Sequence, residues 1–186
     1  MSAFTLWFTG LPASGKSTIA EACLERLQNE GAPFAKIIDG DEIRAELNYD
    51  LGFSVDDRNT NQKRIAYLAK VINQCGCIAL NASISPFKQN RDYARELVSP
   101  VSPFVEIHVD TPIEECEKRD QQRGRGLFAD ARAGKLKDLT GFHDTEAARY
   151  DRPESPELYL DALEHDLPAC LDQVFAYIEE KGLKTW

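Results

Sequence analysis

The chain is short of positive charge. Its 22 lysines and arginines face 31 aspartates and glutamates, a formal net charge of −9. A nucleic-acid surface needs a basic footprint, so that partner is excluded. A small anionic ligand is not, because a few Arg and Lys side chains can reverse the field inside one cleft. Long apolar runs are missing too. No segment approaches the length of a membrane span, and no basic N-terminal region followed by an apolar stretch marks a secretory signal. The five cysteines, Cys23, Cys75, Cys77, Cys116 and Cys170, are odd in number and have no C-x-x-C spacing. They lie within helix or strand patterns, which predicts buried, reduced thiols in a cytoplasmic protein. A metal or redox role for Cys75-Gly-Cys77 is the alternative. There is no repeat and no low-complexity linker. The 186 residues, 42% of them hydrophobic, suit one domain over 1–186 and leave no length for an attached second activity.

What is present begins with Gly10-Leu-Pro-Ala-Ser-Gly-Lys-Ser17, which fits G-x-x-x-x-G-K-[ST], a phosphate-binding loop. Its context agrees. Phe4–Phe8 is aromatic and β-favouring, and Ser17–Gln28 spaces Ile19, Ala20, Cys23, Leu24 and Leu27 as a helix does. Between such a strand and helix, loop N–H groups and the positive helix end face phosphates. The nucleotide-binding positions are thus Gly10, Leu11, Pro12, Ala13, Ser14, Gly15, Lys16, Ser17 and Thr18. Lys16 is the catalytic cation that reaches the β- and γ-phosphates, and the Ser17 hydroxyl is the ligand for Mg²⁺.

Further along, helical and strand patterns alternate. Ala35–Ile38, Cys77–Leu80 and Phe104–Val109 read as strands, the first and last running into Asp39 and Asp110. Segments 61–74, 87–98 and 112–121 read as helices. This predicts an α/β fold, a parallel sheet flanked by helices, with ligands at the carboxyl ends of the strands. Gly10, Asp39, Ser83 and Asp110 fall just beyond strand ends. The stretch 120–155 has charges, glycines and little apolar periodicity, so it reads as a mobile lid. A last helix, 166–181, presents Leu167, Leu171, Val174, Phe175 and Ile178 to the sheet.

Asp41, before a helical segment Glu42–Leu47, is either an N-cap or a carboxylate aimed into the cleft, able to hold Mg²⁺ waters or take a proton from a hydroxyl. Arg44, Arg58, Arg64 and Arg91 lie on segments that converge near the strand ends, where forked guanidinium groups suit sulfate or phosphate oxygens. Phe53 is either a core plug or a platform for a base. His108, His143 and His165 have no ligand spacing.

Together these pieces resemble the adenylyl-sulfate kinase (APS kinase) family of P-loop kinases. The motifs run from Phe8 to about Ala162: the phosphate loop, Asp39-Gly-Asp-Glu-Ile-Arg44, Asp50-Leu-Gly-Phe-Ser54, Asp57-Arg58 with Asn61 and Arg64, Ile84-Ser-Pro-Phe87 and Arg91-Asp92. Val109-Asp-Thr-Pro112, Cys116-Glu-Lys-Arg-Asp120, Ala131-Arg-Ala-Gly134 and Pro153-Glu-Ser-Pro-Glu157 follow in order. The resemblance implies a P-loop NTPase-type sheet with a lid, and transfer of the γ-phosphoryl of ATP to the 3′-hydroxyl of adenosine 5′-phosphosulfate. It implies Asp41 as base or orienter, with Asp39 beside it. Arg44, Arg58 and Asn61 hold the phosphosulfate, and Phe53 packs on the acceptor adenine. Ile84 and Ser85 touch the acceptor, and the family brings Ser85 into the catalytic set as a phosphorylated residue. Lys137 reaches the phosphates, and Arg119 flanks the adenine of ATP. The resemblance also implies a homodimer.

Three departures fall in the lid. Leu139, in Lys137-Asp-Leu-Thr-Gly141, stands where the family has Phe, which removes an aromatic stacking contribution of roughly 1 kcal/mol. Arg119–Leu127 is about three residues longer than expected, and Gly141–Tyr150 about four longer, with Phe142-His143 replacing Ile-Asp. A kinase of this fold acting on another anionic nucleotide, such as a cytidine diphosphate derivative, is the alternative these changes favour. A nucleotide sensor without turnover is opposed by the intact Lys16, Ser17 and Asp41.

Overall fold

The computed structural model describes residues 3–32 and 34–186. Five strands form one sheet: β1 (Thr5–Thr9), β2 (Ala35–Asp39), β3 (Ile78–Ala82), β4 (Phe104–Asp110) and β5 (Leu158–Asp161). Every pairing is parallel, in the order β2-β3-β1-β4-β5. Successive strand side chains point to opposite faces. Leu6 and Phe8 of β1 therefore join one core, and Trp7 joins the other. Helices α1 (Lys16–Asn29) and α7 (Leu167–Glu180) cover the first face. Helices α3 (Val55–Gln74) and α4 (Lys88–Val98) cover the second. The chain leaves β1 toward β2 on one side of the sheet, while β4 pairs on its other side. That reversal makes the end of β1 the switch point where ligands collect.

The differences from the expected elements have local causes. Helix α3 begins at Val55 rather than 61, because Ser54 and Asp57 form a reciprocal capping box. Arg58 and Asn61 are thereby fixed on a helix. Helix α2 (Gly40–Glu46) is capped by Asp39, which accepts from the N–H groups of Asp41 and Glu42, so Asp41 is not the cap. Asp39 and Asp110 end their strands rather than follow them. Strand β5 was not expected; it is a short, partly exposed edge with weak alternation.

Helices α5 (Ile113–Gln122) and α6 (Leu127–Arg132) pack on one another. Helix α6 lies inside the stretch 120–155, which is more ordered in architecture than its composition suggests. Cys116 on α5 and Phe128, Ala131 and Leu139 in the stretch form a third core, against which Leu11 of the phosphate loop packs. Leu167 is 37% exposed and stays outside the core, and α7 buries Cys170, Val174, Phe175 and Ile178 instead. Cys23, Cys116 and Cys170 are buried, but Cys75 is exposed and Cys77 half-buried in the turn before β3. All five are free thiols. Among the described residues no cluster of side chains suits a metal, and no helix is long and apolar enough to cross a membrane.

Candidate active site

The phosphate loop sits at the switch point. Gly10 passes so close to the Val109 carbonyl that a side chain there would clash. Ala13 and Gly15 have φ of 60° and 109°, a left-handed backbone that turns successive N–H groups inward as an anion nest. Ser14 is structural: its carbonyl accepts from Thr111 and Arg119, at 2.9 and 3.1 Å. Pro12, Ala13, Gly15, Lys16 and Ser17 line the cavity; Gly10, Leu11, Ser14 and Thr18 do not. Lys16 donates to the Leu11 carbonyl at 2.7 Å and to Ser14 Oγ at 3.3 Å. Burial pushes its ammonium down to about 8, against the pull of Asp41 and Asp39. The Ser17 hydroxyl donates to Asp39 Oδ2 at 3.0 Å.

Opposite the loop, α2 and α3 supply a second set. Asp41 and Arg44 leave the same helix into the cavity. The Arg44 guanidinium lies 4.4 Å over the Phe53 ring and donates to the Gly52 carbonyl. Phe53 is 51% exposed and lines the cavity, so it is a platform and not a core plug. Arg58, only 6% exposed, donates to the carbonyls of Phe53 and Asp138 and to the Thr140 hydroxyl. Burial and the nearby Arg44 charge push it down to about 10. Asn61 lines the cavity and accepts from the Asn48 amide at 2.8 Å.

The floor is the segment after β3. Ser83 and Ile84 face the cavity, but Ser85 does not. Its hydroxyl is fully buried, accepts from the Trp7 indole at 3.0 Å and donates to Gln62 Oε1 at 2.9 Å. With φ of 47°, Ser85 holds a left-handed turn, away from the cavity lining. Its expected contact with the acceptor is replaced by a structural role behind the wall.

Two of the four arginines are structural as well. Arg64 forks onto Asp50, at 2.7 and 2.9 Å, and braces the loop before α3. Arg91 is buried, bound to Glu106 and to the carbonyls of Ser85, Pro86 and Asp151. Neither lines the cavity. Lys137 is exposed and outside it. Arg119 joins the Ser14 and Ala162 carbonyls, at 3.1 and 2.7 Å, beside the phosphate loop. His108 is buried and pushed down to about 4 by that burial, and His143 accepts the Leu139 N–H; neither faces the cavity.

The lid contributes cavity residues that the sequence reading missed: Arg123, Arg125, Leu136, Asp138 and Thr140, beside the expected Leu139. The signal was the pair of arginines in Arg123-Gly-Arg125-Gly126, within the longer segment. Arg123 donates to Thr18 Oγ1 at 2.9 Å, and Arg125 to Asp41 Oδ2 at 3.2 Å.

The family model for adenylylsulphate kinase matches residues 2–161. A probable adenylyl-sulfate kinase of Bacillus subtilis is 42% identical over 176 residues, covering 95% of this chain and 85% of the relative. The adenylyl-sulfate kinase of Penicillium chrysogenum is 40% identical over 185 residues, covering 96% of this chain and 84% of the relative. Among solved structures, the Mycobacterium tuberculosis APS kinase CysC in complex with AMPPNP and APS superposes with a TM-score of 0.87 at 36% identity, covering 95% and 98% of the two chains. With a phosphate loop, a facing carboxylate and an aromatic–arginine platform in one cleft, and this likeness along most of its length, the chain belongs to the adenylyl-sulfate kinase family.

Proposed function

We propose that this protein transfers the γ-phosphoryl group of ATP to the 3′-hydroxyl of adenosine 5′-phosphosulfate, giving 3′-phosphoadenosine 5′-phosphosulfate. The observation that carries the reading is a single cavity lined on one side by Lys16 and Ser17 and on the other by Asp41, Arg44 and Phe53. Lys16, Arg44, Arg58, Arg123 and Arg125 outnumber Asp39, Asp41 and Asp138 there, so the cleft is locally cationic in an acidic chain. Two anionic nucleotides suit that field. The relative solved with AMPPNP and APS supports the same pairing.

In this reading the loop N–H groups and Lys16 hold the ATP phosphates, and Arg119 borders the adenine side. Phe53 stacks on the acceptor base, with Ile84 beneath it. Arg44 and Arg58 take the phosphosulfate oxygens, and Asn61 stands next to them. Asp41 orients the 3′-hydroxyl and accepts its proton as the oxygen attacks phosphorus in line, which needs no covalent intermediate. Ser17 Oγ and Asp39 Oδ2, hydrogen-bonded to each other at 3.0 Å, are adjacent hard oxygens, the donor type Mg²⁺ takes beside phosphates; a bound Mg²⁺ would neutralise phosphate charge. A cytoplasmic homodimer belongs to the same reading.

ADP release, measured with adenosine 5′-phosphosulfate, cytidine diphosphate derivatives and no acceptor, tests it. Turnover at micromolar adenosine 5′-phosphosulfate and little with the others is expected. Faster turnover of a pyrimidine nucleotide overturns the acceptor. Nucleotide binding without turnover on any acceptor overturns the kinase.

A further inference from the structure

Arg125 is held between two glycines. Gly124 and Gly126 have φ of 67° and 72°, and a Cβ at either would meet nothing within 4 Å. Space does not demand glycine there; the left-handed turn does. That double turn brings Arg123 and Arg125 to the same cavity from one short segment. Arg123 ends on Thr18, one residue beyond the phosphate-loop Ser17, so it stands on the donor side. Arg125 ends on Asp41, the group facing the acceptor hydroxyl, and its charge also reaches Lys16. A transferring phosphoryl group has to pass between Lys16 and Asp41. Arg125 is the lid cation that faces both.

The Arg125–Asp41 pair is weak by construction. Their side chains are 52% and 77% exposed, where an ion pair contributes little. Phosphate oxygens, with more charge and room for the guanidinium fork, outcompete one solvated carboxylate. While paired, one Asp41 oxygen is occupied by an N–H donor and is turned from the acceptor hydroxyl.

We propose that Arg125 is a catalytic residue of the lid, which exchanges the Asp41 carboxylate for the transferring phosphoryl group and thereby frees Asp41 to take the acceptor's proton. The inference rests on the phosphoryl-transfer reading above. The acceptor oxygen forms its bond to the γ-phosphorus as the bond to the β–γ bridging oxygen breaks, and that electron pair leaves on ADP. The hydroxyl proton passes to Asp41. Arg125 stays protonated throughout and donates to the equatorial oxygens, where charge accumulates. Arg123, on the donor side, binds ATP without taking part in the transfer.

Steady-state kinetics with ATP, Mg²⁺ and adenosine 5′-phosphosulfate, on wild type and R125Q, R125K, R123Q and K135Q, test this. Lys135 is an exposed lid cation paired with Asp130, outside the cavity. R125Q is expected to lose about 10²–10³-fold in kcat with both KM values within about threefold, the signature of an interaction made in the transition state. R125K keeps the charge without the fork, and its kcat falls at least about tenfold. R123Q raises the KM for ATP and leaves kcat within about threefold, and K135Q changes neither. Arg125 is half exposed, so thermal midpoints match wild type; should R125Q be destabilised, R125K decides. A kcat in R125Q above a tenth of wild type, a loss confined to KM, or wild-type kcat in R125K overturns the proposal. A wild type that ignores adenosine 5′-phosphosulfate but uses another acceptor overturns the acceptor reading alone, and the same variants are compared on that acceptor. No turnover on any acceptor overturns both.

Discussion

The Arg58 guanidinium donates to the Asp138 carbonyl at 2.7 Å, across 80 residues of chain, and so ties α3 to the lid. Arg44, one helix earlier, has no such tie to the lid and rests on Phe53. The two arginines therefore separate binding from closure. Arg44→Ala should raise the KM for the acceptor more than tenfold, since one charge-assisted contact contributes roughly 1.5–3 kcal/mol, and leave the thermal midpoint unchanged. Arg58→Ala should do the same to the acceptor and also lower the midpoint by about 5 °C, because the Asp138 carbonyl and the buried Thr140 hydroxyl of the lid lose their donor. Acceptor kinetics and calorimetry on both variants check this. An effect of Arg44→Ala on the KM for ATP alone would move it to the donor side.

Lys16 is a buried cation held near 8, well below the 10.5 of an ordinary lysine. Phosphate favours its charged form, so nucleotide binding raises its pKa. Below pH 8 Lys16 carries its proton both free and bound, and no proton is exchanged. Above pH 8 the free enzyme has lost it and the complex regains it. Titration calorimetry with AMPPNP in buffers of different ionisation enthalpy should show net proton uptake at pH 8.5 that fades toward pH 6.5. Lys16→Met should abolish the uptake along with tight binding.

Leu139 is 6% exposed, faces the cavity and is backed by Cys116, Phe128 and Ala131. From sequence alone an aromatic there looks like a better clamp. The packing argues otherwise. Leu139→Phe presses a larger side chain against these three buried neighbours and should cost about 1–3 kcal/mol of stability through overpacking, without lowering the KM for the acceptor. Leu139→Ala should cost about 2–4 kcal/mol and raise that KM. Denaturant unfolding and acceptor kinetics on the two variants decide; a stable Leu139→Phe with improved KM would refute the account.

His108 is 3% exposed, its ring 6.1 Å from that of Tyr150 and 5.7 Å from that of Tyr159. Asp110 lies 4.0 Å away and favours its charge, but burial wins, with Arg152 and Arg91 also against protonation. Its folded pKa of about 4 lies below the ordinary 6.5. The unfolded chain thus binds the extra proton, and stability falls as pH drops from 6.5 toward 4. The loss approaches about 3 kcal/mol at its limit. His108→Gln should flatten that limb of the stability curve, measured by urea unfolding between pH 7 and pH 4.5.

The sequence by itself determined the parts whose causes are short-range. The strand, phosphate loop and α1 are written within some two dozen residues, because glycine spacing, β-favouring aromatics and a 3.6-residue period act on neighbours. The α/β alternation, Lys16 and Ser17 were legible on that ground, whereas Asp41 and Phe53 each kept two readings until the cavity lining separated them. Tertiary structure alone decided which arginine meets which carboxylate. Arg44, Arg64 and Arg91 have the same chemistry in sequence, yet one faces the cavity, one braces a loop and one is sealed against Glu106. The family resemblance set Ser85 against the acceptor, but Trp7, 78 residues earlier, and Gln62 hold its hydroxyl behind the cavity wall. Helix α6 and strand β5 escaped because their apolar residues pair with distant elements rather than with their own period. Arg125 reached Asp41 across 84 residues by the same route. A side chain's partner is fixed by how the chain folds back on itself, and local periodicity carries no record of that.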